Sequence, residues 1–205
     1  MYVDGRLALE VAAVLVTEAG LRPGEFLTAE RQAALLEDDQ PYRARAMALS
    51  MLGRRARCRL EVELKLRRSG FVDHVTEQTL SWLETQGYID DRRFAASYAA
   101  EKIKSGWGRR RIVAELGRKG IPRTLVEGDA WDELLPGVDT PVETEALVGL
   151  VERRFGRQLK DDPAGARRRI AGFLSRRGHE WDEISRIVRL VVDGVGREQD
   201  HAEDW

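Results

Sequence analysis

A single cysteine, Cys58, is all the thiol chemistry in this 205-residue chain. One thiol closes no internal disulfide and builds no thiolate cluster, which points to a reducing, cytoplasmic setting. The histidines His74, His179 and His201 are scattered, without His-x3-His spacing, so no metal site is expected. Long apolar runs are missing too. The longest, Val11 to Val16, falls far short of the ~20 residues a spanning helix needs. Only Arg6 among basic residues precedes it, so no secretory leader is expected either. No Gly-x4-Gly-Lys-Ser/Thr loop offers a nucleotide site. Three acidic pairs, Asp38-Asp39, Asp90-Asp91 and Asp161-Asp162, could in principle hold a divalent ion. Simpler roles suffice for them. Asp90 or Asp91 suits a cap before the helix containing Phe94, Asp162 suits one before Pro163, and Asp38-Asp39 suits a solvated loop. The expectation is a non-enzyme with no catalytic residue, cofactor or metal.

Charge, by contrast, is plentiful: 34% of residues carry it, yet the net is −1. It arrives in blocks. Residues 1–41 sum to −5, 42–88 to +4, 89–122 to +5, 123–145 to −6, 146–178 to +6 and 179–205 to −5. Such alternation exceeds the i, i+4 pairing of ordinary helices. Either neighbouring blocks neutralise one another in the fold, or a basic face is held for a polyanion.

One pattern occurs three times. Val62-x3-Leu66-x3-Gly70, Ile112-x3-Leu116-x3-Gly120 and Ile170-x3-Leu174-x3-Gly178 each place two apolar side chains on one helical face, then a glycine. That glycine fits the left-handed position just past a helix. Amphipathic stretches flank each pattern, so each unit reads as three helices with the middle one ending at the glycine. The expected organisation is mainly α: tandem three-helix repeats, three units and about nine helices. Repeat 1 spans 42–88, repeat 2 spans 89–135, and repeat 3 spans 142–194. A linker at 136–141 carries two prolines, and 195–205 is an acidic C-terminal tail. Residues 1–41 form a small mixed element: a hairpin turning at Asp4-Gly5, a helix from Val11 to Ala19 stopped by Gly20, and a short helix over Ala29 to Glu37 capped by Thr28.

Arginines gather near the start of each middle helix: Arg54, Arg55, Arg57 and Arg59; Arg109, Arg110 and Arg111; Arg167, Arg168 and Arg169. Cations there oppose the helix dipole, whereas a phosphate would meet free N–H groups and guanidinium forks together. A solvated charged face is the plainer reading of any one cluster. Their recurrence makes them candidates for nucleic-acid or filament contact. The pairs at the helix ends, including Arg176-Arg177, are sufficiently explained by the dipole. Trp107, between two glycines and beside three arginines, either stacks on a base or covers the junction of repeats 1 and 2. Trp82, Trp131, Trp181, Phe71, Phe94, Leu116 and Ile121 are expected in or near the core.

Several of these segments resemble one family. Arg57-Cys58-Arg59-Leu60-Glu61-Val62 through Gly70-Phe71, Tyr88-Ile89-Asp90-Asp91-Arg92-Arg93-Phe94-Ala95, and Gly106-Trp107-Gly108-Arg109-Arg110-Arg111-Ile112 through Gly120-Ile121 are similar to RecX, the bacterial regulators of the RecA recombinase. The resemblance implies tandem three-helix repeats in an elongated arrangement, bound along the groove of the RecA–DNA filament. It further implies inhibition of filament growth, ATPase, strand exchange and co-protease activity, and so modulation of recombinational repair and the SOS response. The implied partners are the RecA nucleoprotein filament and, weakly, single- and double-stranded DNA, with no membrane and a monomeric chain. This sequence departs from the pattern at Cys58, at Arg109 and at His179, which follows the third glycine where the other repeats have Phe71 and Ile121.

The alternative is an independent DNA-binding protein whose three-helix units act like helix-turn-helix modules. Against it, the third helices, such as Asp73 to Gln86, are net acidic, poor material for a major groove.

Overall fold

The computed structural model of the chain describes residues 2–3, 6–7, 9–136 and 141–202, of which 2–3, 6–7, 141–143 and 195–202 by backbone alone. Ten α-helices dominate the described residues: α1 Ala13–Glu18, α2 Ala29–Leu52, α3 Arg59–Arg68, α4 Asp73–Thr85, α5 Asp91–Lys104, α6 Arg109–Arg118, α7 Asp129–Leu134, α8 Pro141–Asp161, α9 Pro163–Arg176 and α10 Trp181–Ala202. Two short antiparallel strands, Tyr2–Val3 and Arg6–Leu7, stand where the hairpin was expected, with Tyr2 opposite Leu7. The turn residues Asp4 and Gly5 lie outside the described residues, as do 137–140 of the expected linker and 203–205 of the expected tail. The chain divides into two compact units, Met1–Asp91 and Arg92–Trp205.

The first unit is built on α2, α3 and α4. Ala44 and Ala48 of α2 allow close approach to Val62 and Leu66 of α3, and Val75, Leu80 and Leu83 of α4 close the core with Phe71 and Ile89. Two expectations change here. The short helix and the first helix of repeat 1 are one helix, because α2 runs from Ala29 to Leu52 straight through Pro41. Thr28 does cap it, accepting from Arg31 N at 3.2 Å. Asp39 is not in a solvated loop. It is 1% exposed, and its Oδ1 accepts from Ala12 N at 2.7 Å, so α2 caps the start of α1. Charge in the middle of α2 thus serves a neighbouring helix terminus.

The second unit holds a large three-helix core of α8, α9 and α10: Leu147, Val151, Phe155 and Leu159 against Ile170 and Leu174, and Ile184, Ile187 and Val191. Beside it lie α5, α6 and α7, with Ala95, Ala99, Ile112, Leu116, Ile121, Val126 and Trp131 buried. The third helix of repeat 2 is fragmented. A 3-10 turn at Arg123–Leu125 follows Pro122, and Gly128, at φ 59°, breaks the chain before the six-residue α7. Phe94 is half-buried, stacked on Tyr98 at 6.1 Å, rather than a core residue. Trp181, the first residue of α10, is 70% exposed rather than in or near the core. Helix α10 continues through 195–202, into the stretch expected as tail. No described helix is long and apolar enough to cross a membrane.

The repeated glycines do what their spacing implies. Gly70, Gly120 and Gly178 have φ of 89°, 81° and 86°. After each, the next residue's N–H reaches back to the middle-helix leucine: Phe71 to Leu66 O at 3.3 Å, Ile121 to Leu116 O at 3.0 Å, His179 to Leu174 O at 3.2 Å. These are three Schellman ends on one plan.

The third end has a second use. Gly108 N donates to Arg177 O at 2.9 Å and Arg110 N donates to Gly178 O at 3.1 Å, so the C-terminus of α9 caps the N-terminus of α6. The opposite ends of two helix dipoles meet. Contact is backbone to backbone: a Cβ on Gly108 would overlap Gly178 carbonyl atoms, and one on Gly178 would press on Arg111. Arg177 Nη1 donates to the α5-terminal carbonyls of Ser105 at 2.7 Å and Gly106 at 3.1 Å, and His179 Nε2 lies 3.2 Å from Gly106 O. Gly108→Ala is therefore expected to cost about 2 kcal/mol or more in urea unfolding. Gly117→Ala, in the same helix with nothing within 4 Å of the added methyl, should gain up to ~1 kcal/mol. Equal effects from the two would contradict the close approach at Gly108.

Candidate functional site

All three middle helices have N-terminal amides engaged within the chain. Arg59 N of α3 donates to Asp91 Oδ1 at 2.8 Å. Amides at the start of α6 bond to Arg177 and Gly178, and Gly165 N of α9 donates to Asp162 Oδ1 at 2.8 Å. Asp162 thus caps its helix as its place before Pro163 suggests. Asp91 instead caps α3 from the start of α5, a partner 32 residues away in sequence. These engaged amides leave the guanidinium groups as the main donors for a polyanion.

The three arginine clusters differ sharply. In the first, Arg54 and Arg55 are exposed and Arg57 and Arg59 half-buried. Arg55 pairs with Glu61 at 3.0 Å, and Arg57 lies 3.8 Å from the same carboxylate. Arg59 meets Glu77 at 2.6 Å, Glu84 at 3.0 Å and Glu63 at 3.5 Å. The Glu77 hydrogen bond raises the Arg59 guanidinium above its ordinary value, more than burial lowers it. Basic and acidic residues of the block neutralise each other here.

In the second cluster, Arg109 donates from Nη2 to Gly128 O at 3.1 Å and lies 5.2 Å above Trp131. Arg110 is exposed, 3.9 Å from Glu180. Arg111 sits 3.7 Å above the ring of Trp107. Trp107 is half-buried and faces repeat 3: it lines a cleft of about 810 Å³ with Ile103, Trp131, Leu147, Leu150 and His179. The expected position at the junction of repeats 1 and 2 gives way to one beside α8 and α10.

Arg167, Arg168 and Arg169 are exposed in the second turn of α9, not at its opening, because α9 starts a turn earlier at Pro163. Among the described residues none of the three has an ion-pair partner. Arg154 and Arg177, which the sequence did not single out as contacts, lie over one ring, Phe173, at 5.0 and 4.6 Å. No His/Cys/Asp/Glu cluster able to hold a metal occurs among the described residues.

Burial raises the Asp91 carboxyl above its ordinary value of 3.8, with the Arg59 amide and guanidinium opposing. A raised carboxyl means the folded state holds its proton more tightly. Its stabilising contribution is present below pH 3.8 and is lost as pH rises through the folded value. Asp91→Asn keeps a capping group but removes the titration. The variant should gain stability relative to the wild type as pH climbs from 3.8, followed by urea midpoints across a pH series. A pH-independent difference would contradict the burial of this carboxyl.

Comparison with known proteins accounts for the three-unit plan. The family descriptions "RecX, first three-helix domain", "RecX, second three-helix domain" and "RecX, third three-helix domain" match residues 44–83, 90–128 and 142–188. A protein named "Regulatory protein RecX" from Mycobacterium leprae is 32% identical over 152 residues, covering 73% of this chain and 86% of that protein. One of the same name from Clostridium acetobutylicum is 25% identical over 195 residues, covering 93% and 88%. A solved structure titled "Crystal structure of regulatory protein RecX" superposes with a TM-score of 0.69 at 26% identity, covering 91% of this chain and 92% of the other. With three domains matched in order and the fold shared along nearly its whole length, the chain belongs to the RecX family of regulatory proteins.

Proposed function

We propose that the protein is a non-enzymatic regulator that binds the RecA–DNA filament and restrains filament growth, ATPase, strand exchange and co-protease activity. It would thereby modulate recombinational repair and the SOS response from the cytoplasm, as a monomer. The observation that carries this reading is the ordered match of all three RecX domains. On this proposal the working units are 42–88, 89–135 and 142–194, joined to the last by 136–141 and flanked by acidic ends. Several modest contacts tethered in one chain reinforce one another through effective concentration.

The contact residues are drawn from Arg54, Arg55, Arg57, Arg59, Arg109, Arg110, Arg111, Arg167, Arg168 and Arg169, with Trp107 alongside. Their pairing ranks them. Arg59 already faces three carboxylates, whereas Arg167, Arg168 and Arg169 are exposed and unopposed. An independent DNA-binding role is less favoured, since α4 presents Asp73, Glu77 and Glu84 and no Lys or Arg.

The test is the single-stranded-DNA-dependent ATPase of the cognate RecA with this protein titrated in. Loss of activity well below one copy per RecA, with DNA in excess, is the expected result. Inhibition only at DNA-coating ratios, or its reversal by added DNA, would replace the proposal with simple competition. Reversing Arg167, Arg168 and Arg169 to glutamate should weaken inhibition about tenfold while leaving the thermal midpoint in place. Full inhibition by that variant would remove these three from the contact.

A further inference from the structure

We propose that Arg111, Arg154 and Arg177 form a phosphate-binding site for a nucleic-acid backbone where the second and third three-helix domains meet. The three side chains come from different elements: the first turn of α6, the middle of α8 and the residue that ends α9. Arg154 and Arg177 share the ring of Phe173, and the backbone of Arg111 lies against Gly178, the residue after Arg177. Packing between α6 and α9 therefore forces like charges together. Among the described residues none of the three has an ion-pair partner. Burial, then the nearby charges of Arg154 and Arg111, lowers the Arg177 guanidinium from its ordinary value, and no carboxylate offsets them.

The first domain shows what this chain does with a guanidinium held for structure alone: Arg59 is surrounded by Glu63, Glu77 and Glu84. The junction lacks that neutralisation, so an arriving anion would relieve repulsion rather than compete with an internal partner. The groups are also accessible and held in place. Arg154 is exposed and Arg111 and Arg177 half-buried. Trp107 supports Arg111 at 3.7 Å, and Arg177 spends one nitrogen on Ser105 and Gly106, leaving other donors for a ligand. Arg154 and Arg111 are near enough to act on the charge of Arg177, and three neighbouring forks suit the oxygens of successive phosphates. A nucleic-acid backbone is favoured over an acidic protein face because Arg154 and Arg177 lie in the most basic stretch of the chain, 146–178 at +6, and Arg111 in the next most basic, 89–122 at +5, stretches of like charge suited to successive phosphates.

The role of the contact rests on the proposed regulatory function, but binding is tested on the full-length protein alone. Affinity for a fluorescently labelled oligothymidylate is read by anisotropy across a salt series. Arg154→Gln should weaken binding about tenfold and flatten the salt slope by roughly 0.7 per lost phosphate. Its thermal midpoint should not fall, because a repelled charge has been removed; Arg111→Gln, read in the same way, should also weaken binding. Arg55→Gln, in the neutralised cluster, should leave affinity unchanged. The site is overturned if the wild type does not bind the oligonucleotide, if both junction variants match it, or if Arg55→Gln loses as much. Retained oligonucleotide binding with lost inhibition of RecA ATPase would overturn it in favour of an acidic protein surface. An absence of any effect on RecA would sink the regulatory reading while leaving the oligonucleotide result intact.

Discussion

The meeting of the α9 C-terminus with the α6 N-terminus organises the second half of this protein. Two amides of α6 and two carbonyls at the end of α9 satisfy each other, and two glycines, Gly108 and Gly178, make the approach possible. A side chain on either would hold the backbones apart and leave polar groups at both ends unmet. Arg177 and His179 extend the same contact onto the carbonyls that end α5. Small three-helix units bury little apolar surface alone. Joining two of them through helix termini places both in one larger compact unit.

That economy has an electrostatic consequence. A helix N-terminus with free amides is a ready anion site. Here amides at the starts of the middle helices are taken by Asp91, by the α9 carbonyls and by Asp162. What distinguishes the repeats is therefore the surroundings of their guanidiniums. In the first unit glutamates on α3 and α4 close around Arg57 and Arg59. In the second, aromatic faces take the place of carboxylates: Trp107 against Arg111, Trp131 against Arg109, and Phe173 against both Arg154 and Arg177. A ring holds a guanidinium in position without cancelling its charge. One sequence motif thus yields a neutralised framework in one repeat and an available cationic surface in another.

How far the sequence discloses this depends on the range of each interaction. The middle helices and their glycine ends were legible because an i, i+4 apolar pair and a left-handed residue are local requirements, met identically at Gly70, Gly120 and Gly178. Asp162 was legible for the same reason, since its acceptor and donor lie three residues apart. The capping roles of Asp39 and Asp91 are not legible in the same way, because their donors, Ala12 and Arg59, lie 27 and 32 residues away. The continuity of helix α2 is not legible locally, because it runs through Pro41, which local propensity treats as a break. The arginine clusters were visible as charge, but no local rule reports which of them face carboxylates. Local rules explain Arg177 as a dipole partner. Its position does suit that role, yet the fold turns its side chain onto the next repeat.

His179 shows how one substitution can divide a repeat protein into unequal parts. At the position after the repeated glycine, Phe71 and Ile121 bury apolar side chains within their own repeats. His179 is equally hidden, at 4% exposure, but carries polar atoms into the site. Its Nε2 reaches Gly106 O at 3.2 Å, and its Nδ1 lies 2.9 Å from Glu183 Oε2, near enough for attraction though outside hydrogen-bond geometry. An apolar residue there would fill the volume but offer nothing to the carbonyl that ends α5. The histidine keeps the local packing duty of its repeat and adds a directional link to the preceding one. Together with Arg177, it converts the end of a helix into a clasp between the second and third domains, which lie in one compact unit where sequence periodicity alone describes two.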